Sequence, residues 1–92
     1  MGATGISSNI SNGSKIDRTP FTNEGGGQWT IDIEGVGGAS ILDETDEYRF
    51  GGTAYGVTVW DKNYDKQGDT TYHTSLNAAK QAAKDRIKDM NK

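Results

Sequence analysis

A single histidine, His73, limits the catalytic chemistry that this sequence can support, because the chain also lacks cysteine. Nucleophilic catalysis requires a nucleophile, a base and a group that orients the base. His73 could be combined only with the neighbouring Thr74 or Ser75 and an acid from elsewhere in the chain. Since His73 lies where a predicted strand meets a predicted helix, we expect it to cap or pack against the start of that helix. We therefore predict a protein that is not an enzyme.

Metal ions and phosphate groups have characteristic binding motifs, which this sequence does not match. The acidic run at residues 43–47 lacks the Asp-x-Asp-x-Asp-Gly order of a calcium loop and is typical of a solvated turn. Gly35-Val36-Gly37 precedes no predicted helix, and no Gly-x-x-x-x-Gly-Lys-Ser/Thr motif occurs. These glycines are typical of turns. We expect neither a metal site nor a bound cofactor.

Acidic residues are concentrated in the middle of the chain, whose formal net charge is −3. Residues 24–60 contain seven acids and a single cation, Arg49, whereas residues 61–92 contain seven Lys or Arg and five Asp. If the first two strands form a hairpin, six acids would lie close together and form a patch that meets a basic surface on a protein partner. Solubility alone is the other explanation for such a charge run. The residues of this predicted acidic patch are Asp32, Glu34, Asp43, Glu44, Asp46 and Glu47.

Lysines recur along the predicted C-terminal helix and suggest an alternative function. Lys80, Lys84 and Lys88 follow one another at spacings of four, which places them in a row along one side of a helix. Such a lysine row can contact nucleic-acid phosphates. Asp85 and Asp89 dilute its positive charge further round the helix, which favours a solvated face. Direct nucleic-acid binding is therefore the second hypothesis, behind binding to a protein.

Alternating apolar residues predict the strands that position these side chains. Trp29, Ile31 and Ile33 alternate with polar residues, so one face of this strand is apolar and the other is polar or acidic. A glycine-rich turn at residues 35–38 ends the strand, because glycine adopts positive φ at little cost. The predicted strands cover residues 28–34, 39–43, 53–61 and 69–73, with a further short candidate at 48–50.

A helix is predicted at the end of the chain. Thr74 or Ser75 can cap it by accepting a hydrogen bond from a free backbone N–H of the first turn. Apolar residues then recur at spacings of three and four, which is typical of a helix that buries one side. This apolar stripe consists of Leu76, Ala79, Ala83, Ile87 and Met90. We predict an α+β domain in which a small antiparallel β-sheet of three to five strands packs against one C-terminal α-helix.

The predicted domain occupies residues 28–92 and follows a flexible N-terminal arm at residues 1–27. The arm is rich in Gly, Ser, Asn and Thr, and we expect residues 1–20 to contribute little to folding. Leu, Ile, Val and Phe together number 14 of 92 residues, so the eight aromatic residues must supply part of the core. No apolar run approaches the roughly 20 residues of a membrane span. We expect a cytoplasmic protein.

Two sequence segments resemble a known class of small proteins. The segment QWxIDxxGVGGA at residues 28–39, followed by HxSxxAA at residues 73–79, is similar to small phage-encoded proteins, among them anti-CRISPR inhibitors of type I systems. The resemblance covers about the last two-thirds of the chain and leaves the N-terminal arm unmatched. It implies a non-enzymatic inhibitor that binds a bacterial defence complex, such as a CRISPR–Cas effector subunit, in the host cytoplasm. The matching residues belong mainly to the fold, so the resemblance assigns no residue to the contact with a partner.

Overall fold

A computed structural model of the chain describes residues 13–44 and 54–91. The first helical segment, α1, covers residues 13–18 within this described part. The other elements are strands β1 (Thr22–Gly25), β2 (Gln28–Ile33), β3 (Gly37–Asp43), β4 (Tyr55–Asp61) and β5 (Thr71–His73), followed by helix α2 (Leu76–Met90). The strand that the sequence suggests at residues 48–50 lies outside the described residues.

The strands form one five-stranded sheet in the order β1-β2-β3-β4-β5, and every neighbouring pair is antiparallel. Antiparallel neighbours can be joined by tight turns, which suits the glycine-rich connections before and after β2. Helix α2 packs across β4 and β3 and also contacts β5. The prediction of an α+β domain with a small antiparallel sheet and one C-terminal helix is confirmed.

The sheet buries its apolar side chains on one face. In the register of the sheet Ile31 lies opposite Ala39, and Ile41 lies opposite Val57. At the margin of this core, the ring of Trp29 packs edge-on against a neighbouring aromatic ring, that of Tyr55, with their centroids 6.0 Å apart. The fully or almost fully buried strand residues are Ile31, Ile33, Ala39, Ile41, Val57 and Val59. The apolar face predicted for residues 28–34 is therefore the core face.

Helix α2 begins and packs as its sequence predicts. The Ser75 Oγ accepts a hydrogen bond from the Ala78 backbone N–H at 3.1 Å, which confirms one of the two proposed caps. Ala79, Ala83 and Ile87 are buried against the sheet. Two small alanine side chains on this stripe let the helix backbone approach the strands closely.

The segment before the sheet also contributes to the core. Ile16 on α1 has 0% of its surface exposed and belongs to the same buried cluster as the strand residues. Helix α2 also contacts this segment through two of its lysines. The Lys88 ammonium forms a salt bridge with the Asp17 carboxylate, and Lys84 Nζ donates a hydrogen bond to the Asp17 carbonyl at 2.9 Å.

These contacts correct the predicted boundary between a flexible arm and the domain at residue 28. Strand β1 pairs with β2, and α1 supplies a core residue, so the described part of the predicted arm is integral to the fold. The sequence pattern missed this because a single buried isoleucine creates no periodicity, and a contact to a backbone carbonyl has no sequence signature. Residues 1–12 of the predicted arm lie outside the described residues.

Candidate partner-binding face

Within the described residues, α1 and α2 pack on the same face of the sheet, since both contribute to one core cluster. Alternate strand residues point to the opposite face. We call this opposite surface the open face, and it carries the side chains of Thr30, Asp32, Ser40, Leu42, Thr58, Trp60 and Tyr72.

A row of hydroxyl groups crosses the open face at right angles to the strands. The register places Thr22 opposite Thr30, Thr30 opposite Ser40, and Ser40 opposite Thr58. Thr58 and Thr70 then share a hydrogen bond between their hydroxyl groups at 3.0 Å. Because these side chains are short, the middle of the open face is flat and polar.

Trp60 lies on the open face over Gly38, on one side of the hydroxyl row. A Cβ added at Gly38 would lie 2.5 Å from Trp60 Nε1, so only glycine leaves room for the indole there. The sequence pattern assigned Gly38 to a turn, but the residue lies within β3. Trp60 Nε1 is buried and finds no hydrogen-bond partner among the described residues. Folding alone does not favour an unpaired indole N–H.

Tyr72 occupies the other side of the hydroxyl row, over Gly56. A Cβ at Gly56 would lie 3.1 Å from a Tyr72 ring carbon and would collide with the Glu44 carboxylate. Neighbouring side chains therefore approach the β4 backbone closely at this glycine. Leu42 lies opposite Gly56 in the register, and the side chains of Leu42 and Tyr72 are 42% and 47% exposed.

An exposed tyrosine borders the open face in the loop between β4 and β5. Tyr64 is 71% exposed, and its hydroxyl donates a hydrogen bond to Asp32 Oδ2 at 3.3 Å. Its backbone φ is +66°, a left-handed conformation that a bulky side chain rarely adopts. The Asp61 carboxylate fixes the loop, since it accepts hydrogen bonds from the backbone N–H groups of Asn63 and Asp65. A polar cleft of about 370 Å³ lies beside the Tyr64 side chain.

The structure does not bring the predicted acidic patch together within the described residues. The predicted hairpin forms, but its register pairs Asp32 with Gly38 at the turn end, whereas Asp43 ends β3 at the far end. Five residue steps of extended strand, from Gly38 to Asp43, separate these ends by about 17 Å. Asp32 and Glu34 therefore lie at one end of the sheet, and Asp43 and Glu44 lie at the other. The remaining two acids, Asp46 and Glu47, lie outside the described residues.

The predicted lysine row faces the segment that contains α1. Lys88 is paired with Asp17. The Nζ atoms of Lys80 and Lys84 each lie 6.0 Å from the centre of the Phe21 ring. The row therefore does not form a uniform free surface, because its members have different neighbours.

The residues considered for catalysis contact residues that are close to them in the sequence. His73 Nε2 lies 3.0 Å from Thr71 Oγ1 on the same strand, and Ser75 Oγ is the cap of α2.

Among residues 13–44 and 54–91, no three His, Cys, Asp or Glu side chains are grouped so that they could hold a metal ion. Over the same residues, no helix has both the length and the apolar character needed to cross a membrane.

No protein family, characterised protein or solved structure was found to match this chain. Its function must therefore be inferred from its own surface, of which the open face is the most distinctive part.

Proposed function

We propose that this protein is a non-enzymatic phage or mobile-element protein that binds and inhibits a bacterial defence complex by protein–protein blockade. The proposed target is a type I CRISPR–Cas effector in the cytoplasm of the bacterial host. The open face is the proposed contact surface. The observation that carries this proposal concerns two aromatic side chains on the open face, Trp60 and Tyr72. Glycines on the neighbouring strands leave room for their rings, and neither residue belongs to the hydrophobic core.

The side-chain types on the open face suit protein recognition. Tyrosine and tryptophan are enriched in protein interfaces and often dominate their binding energy. Trp60 and Tyr72 flank the hydroxyl row, and Leu42 and Tyr64 add exposed apolar surface. Aromatic anchors around a flat polar centre would allow a partner to pack closely against the strands.

Charge along the open face favours a basic partner. Glu24 accepts a hydrogen bond from Thr30, Asp32 lies on β2, and the Glu44 carboxylate lies over Gly56. Lys66, opposite Trp60, adds a positive charge near β5, so the acidic character is greatest toward β1, β2 and the end of β3. Subunits that hold nucleic acid present basic surfaces, and opposed charges speed encounter and exclude wrong partners.

Binding to a purified type I effector complex tests this proposal. Leu42→Asp places a charge in the proposed contact, while Ala78→Asp places the same group on the exposed side of α2 as a matched control. We expect Leu42→Asp to weaken binding at least about tenfold, since an unpaired charge in an interface is costly, and Ala78→Asp to leave binding unchanged.

Circular dichroism establishes that both variants are folded before binding is measured. Equal binding by two folded variants would remove the open face from the proposal. If the parent protein fails to bind the effector but binds duplex DNA in a salt-dependent way, the nucleic-acid hypothesis replaces this one.

A further inference from the structure

A second surface with a different chemistry lies on the helical side of the molecule. A cleft of about 420 Å³ separates Pro20 and Phe21 from one side of α2. The helix lines it with Asn77, Lys80, Gln81 and Lys84. Clefts that hold small ligands commonly have volumes of about 300–1,000 Å³, so this cleft has room for a ligand group.

Two lysines whose side chains are partly buried line this cleft. Lys80 and Lys84 each place Nζ 6.0 Å from the centre of the Phe21 ring, which attracts cations through its π face. Like charges four residues apart on a helix repel each other. Among the described residues no carboxylate lies within ion-pair distance of either lysine. The Asp17 carboxylate pairs with Lys88 instead.

The polar groups around the two lysines leave donors available. Lys84 Nζ donates one hydrogen bond, to the Asp17 carbonyl, and an ammonium group has three donors. Lys80 makes no hydrogen bond to a described residue. Asp85 is the acid that follows Lys84 in the helix. Its carboxylate accepts a hydrogen bond from Gln81 Nε2 at 2.9 Å.

We propose that this cleft binds a phosphate group between the ammonium groups of Lys80 and Lys84. A phosphate dianion would offset both positive charges and accept charge-assisted hydrogen bonds from both lysines, with the Asn77 amide as a further donor. Lys88 takes no part because Asp17 already neutralises it. The phosphate is that of a small phosphate ester or of a nucleic-acid backbone. This site lies on the helical side and does not depend on the function proposed for the open face.

A heteronuclear NMR titration at constant ionic strength tests the site with two probes. Inorganic phosphate is added in one arm and a short oligothymidylate in the other. We expect saturable shifts of the backbone signals of Phe21, Asn77, Lys80 and Lys84. Lys80→Gln should weaken binding at least about fivefold, because it removes one of two charges that contact the phosphate. Lys66→Gln, which removes a lysine remote from the cleft, should leave binding unchanged.

Lys80 makes no hydrogen bond to a described residue, so Lys80→Gln should fold, and a thermal melt checks that it does. Lys80→Arg, which keeps the charge, should retain most of the binding. The two arms are compared at equal concentrations of phosphate groups. If inorganic phosphate saturates the site at the concentration at which the oligonucleotide does, the ligand is a small phosphate ester. Saturation by the oligonucleotide alone would identify a nucleic-acid backbone. Shifts that never saturate in either arm, or equal losses in Lys80→Gln and Lys66→Gln, would overturn the proposal.

Discussion

The two faces of the sheet are formed by the same strands but have opposite side-chain chemistry. On the covered face, buried isoleucine, valine and alanine side chains meet α1 and α2. On the open face, a hydroxyl row lies between Trp60 and Tyr72, each of which rests over a glycine. Burial against the helices accounts for the first set of residues. It does not account for the second set, in which Gly38 and Gly56 leave room for the two aromatic rings against the strands.

This contrast separates residues that form the core from residues that the core does not include. A covered-face change should act mainly on stability, because it removes packed apolar surface. An open-face change should act mainly on binding, with a small effect on stability unless it disturbs the seating of an aromatic ring. Paired substitutions at neighbouring positions can test this separation.

The largest effect is expected from neighbouring residues of β3 that point to opposite faces. Ile41 is fully buried, so Ile41→Ala should lower the free energy of unfolding by about 2–5 kcal/mol. Ser40 points to the open face, and Ser40→Ala should change the free energy of unfolding by less than about 1 kcal/mol. Urea unfolding followed by circular dichroism measures both. Similar losses for the two variants would mean that the faces do not differ in the way described.

Ile16→Ala should be the next most destabilising change, with a loss of about 2–4 kcal/mol, because the side chain is fully buried in the core cluster. The control is Lys15→Ala at the neighbouring exposed position of α1, which should cost less than about 0.5 kcal/mol. Thermal melts of both variants provide the measurement. A melting temperature unchanged by Ile16→Ala would support the flexible arm predicted from the sequence.

Gly38→Ala should displace the Trp60 ring and cost about 1–3 kcal/mol, because the added Cβ overlaps both the indole and the backbone carbonyl oxygen of Ile31. Gly13→Ala is the matched control, since the residue is helical and, outside its own helix backbone and chain neighbours, no described atom lies within 4 Å of the added Cβ. That change should be neutral or should stabilise by up to about 1 kcal/mol. Tryptophan fluorescence should respond to the first change alone. An unaltered spectrum in Gly38→Ala would show that the indole does not depend on this glycine.

The smallest effect on stability is expected at Tyr64. Partner binding should favour tyrosine at this position, whereas the backbone conformation favours a different residue. Asparagine tolerates the left-handed backbone better than tyrosine, so Tyr64→Asn should leave stability unchanged or raise it by up to about 1 kcal/mol. The same change should weaken partner binding. Tyr64→Phe keeps the ring and should retain most of the binding. A stable Tyr64→Asn variant with full affinity for the partner would show that this side chain has no role in recognition.

The sequence predicted the covered face better than the open face, for a physical reason. Alternation in β2 and the apolar stripe of α2 are local patterns, and both recur in the structure. The hydroxyl row depends on strand register, which joins residues far apart in the chain, such as Thr30 and Thr58. Without the register, the sequence could not indicate which short polar side chains would share one line across the sheet.

The same dependence on register explains why the four described acids of the predicted patch lie in two separate places. Asp32 and Asp43 are close in the chain and lie on one hairpin, but antiparallel pairing places them toward opposite ends. Conversely, Tyr64 and Asp32 are distant in the chain and share a hydrogen bond. Their contact could be found only from the structure, because charge density along the chain does not report it.

Cross-saturation NMR between a purified type I effector complex and the methyl-labelled protein tests the central claim most directly. If the open face is the contact, the methyl signals of Thr30, Leu42 and Thr58 should lose intensity when the effector is irradiated. The exposed methyl group of Ala78 on α2 should keep its intensity. Loss of intensity at Ala78 with unchanged signals from those three open-face methyl groups would contradict the claim and place the contact on the helical side.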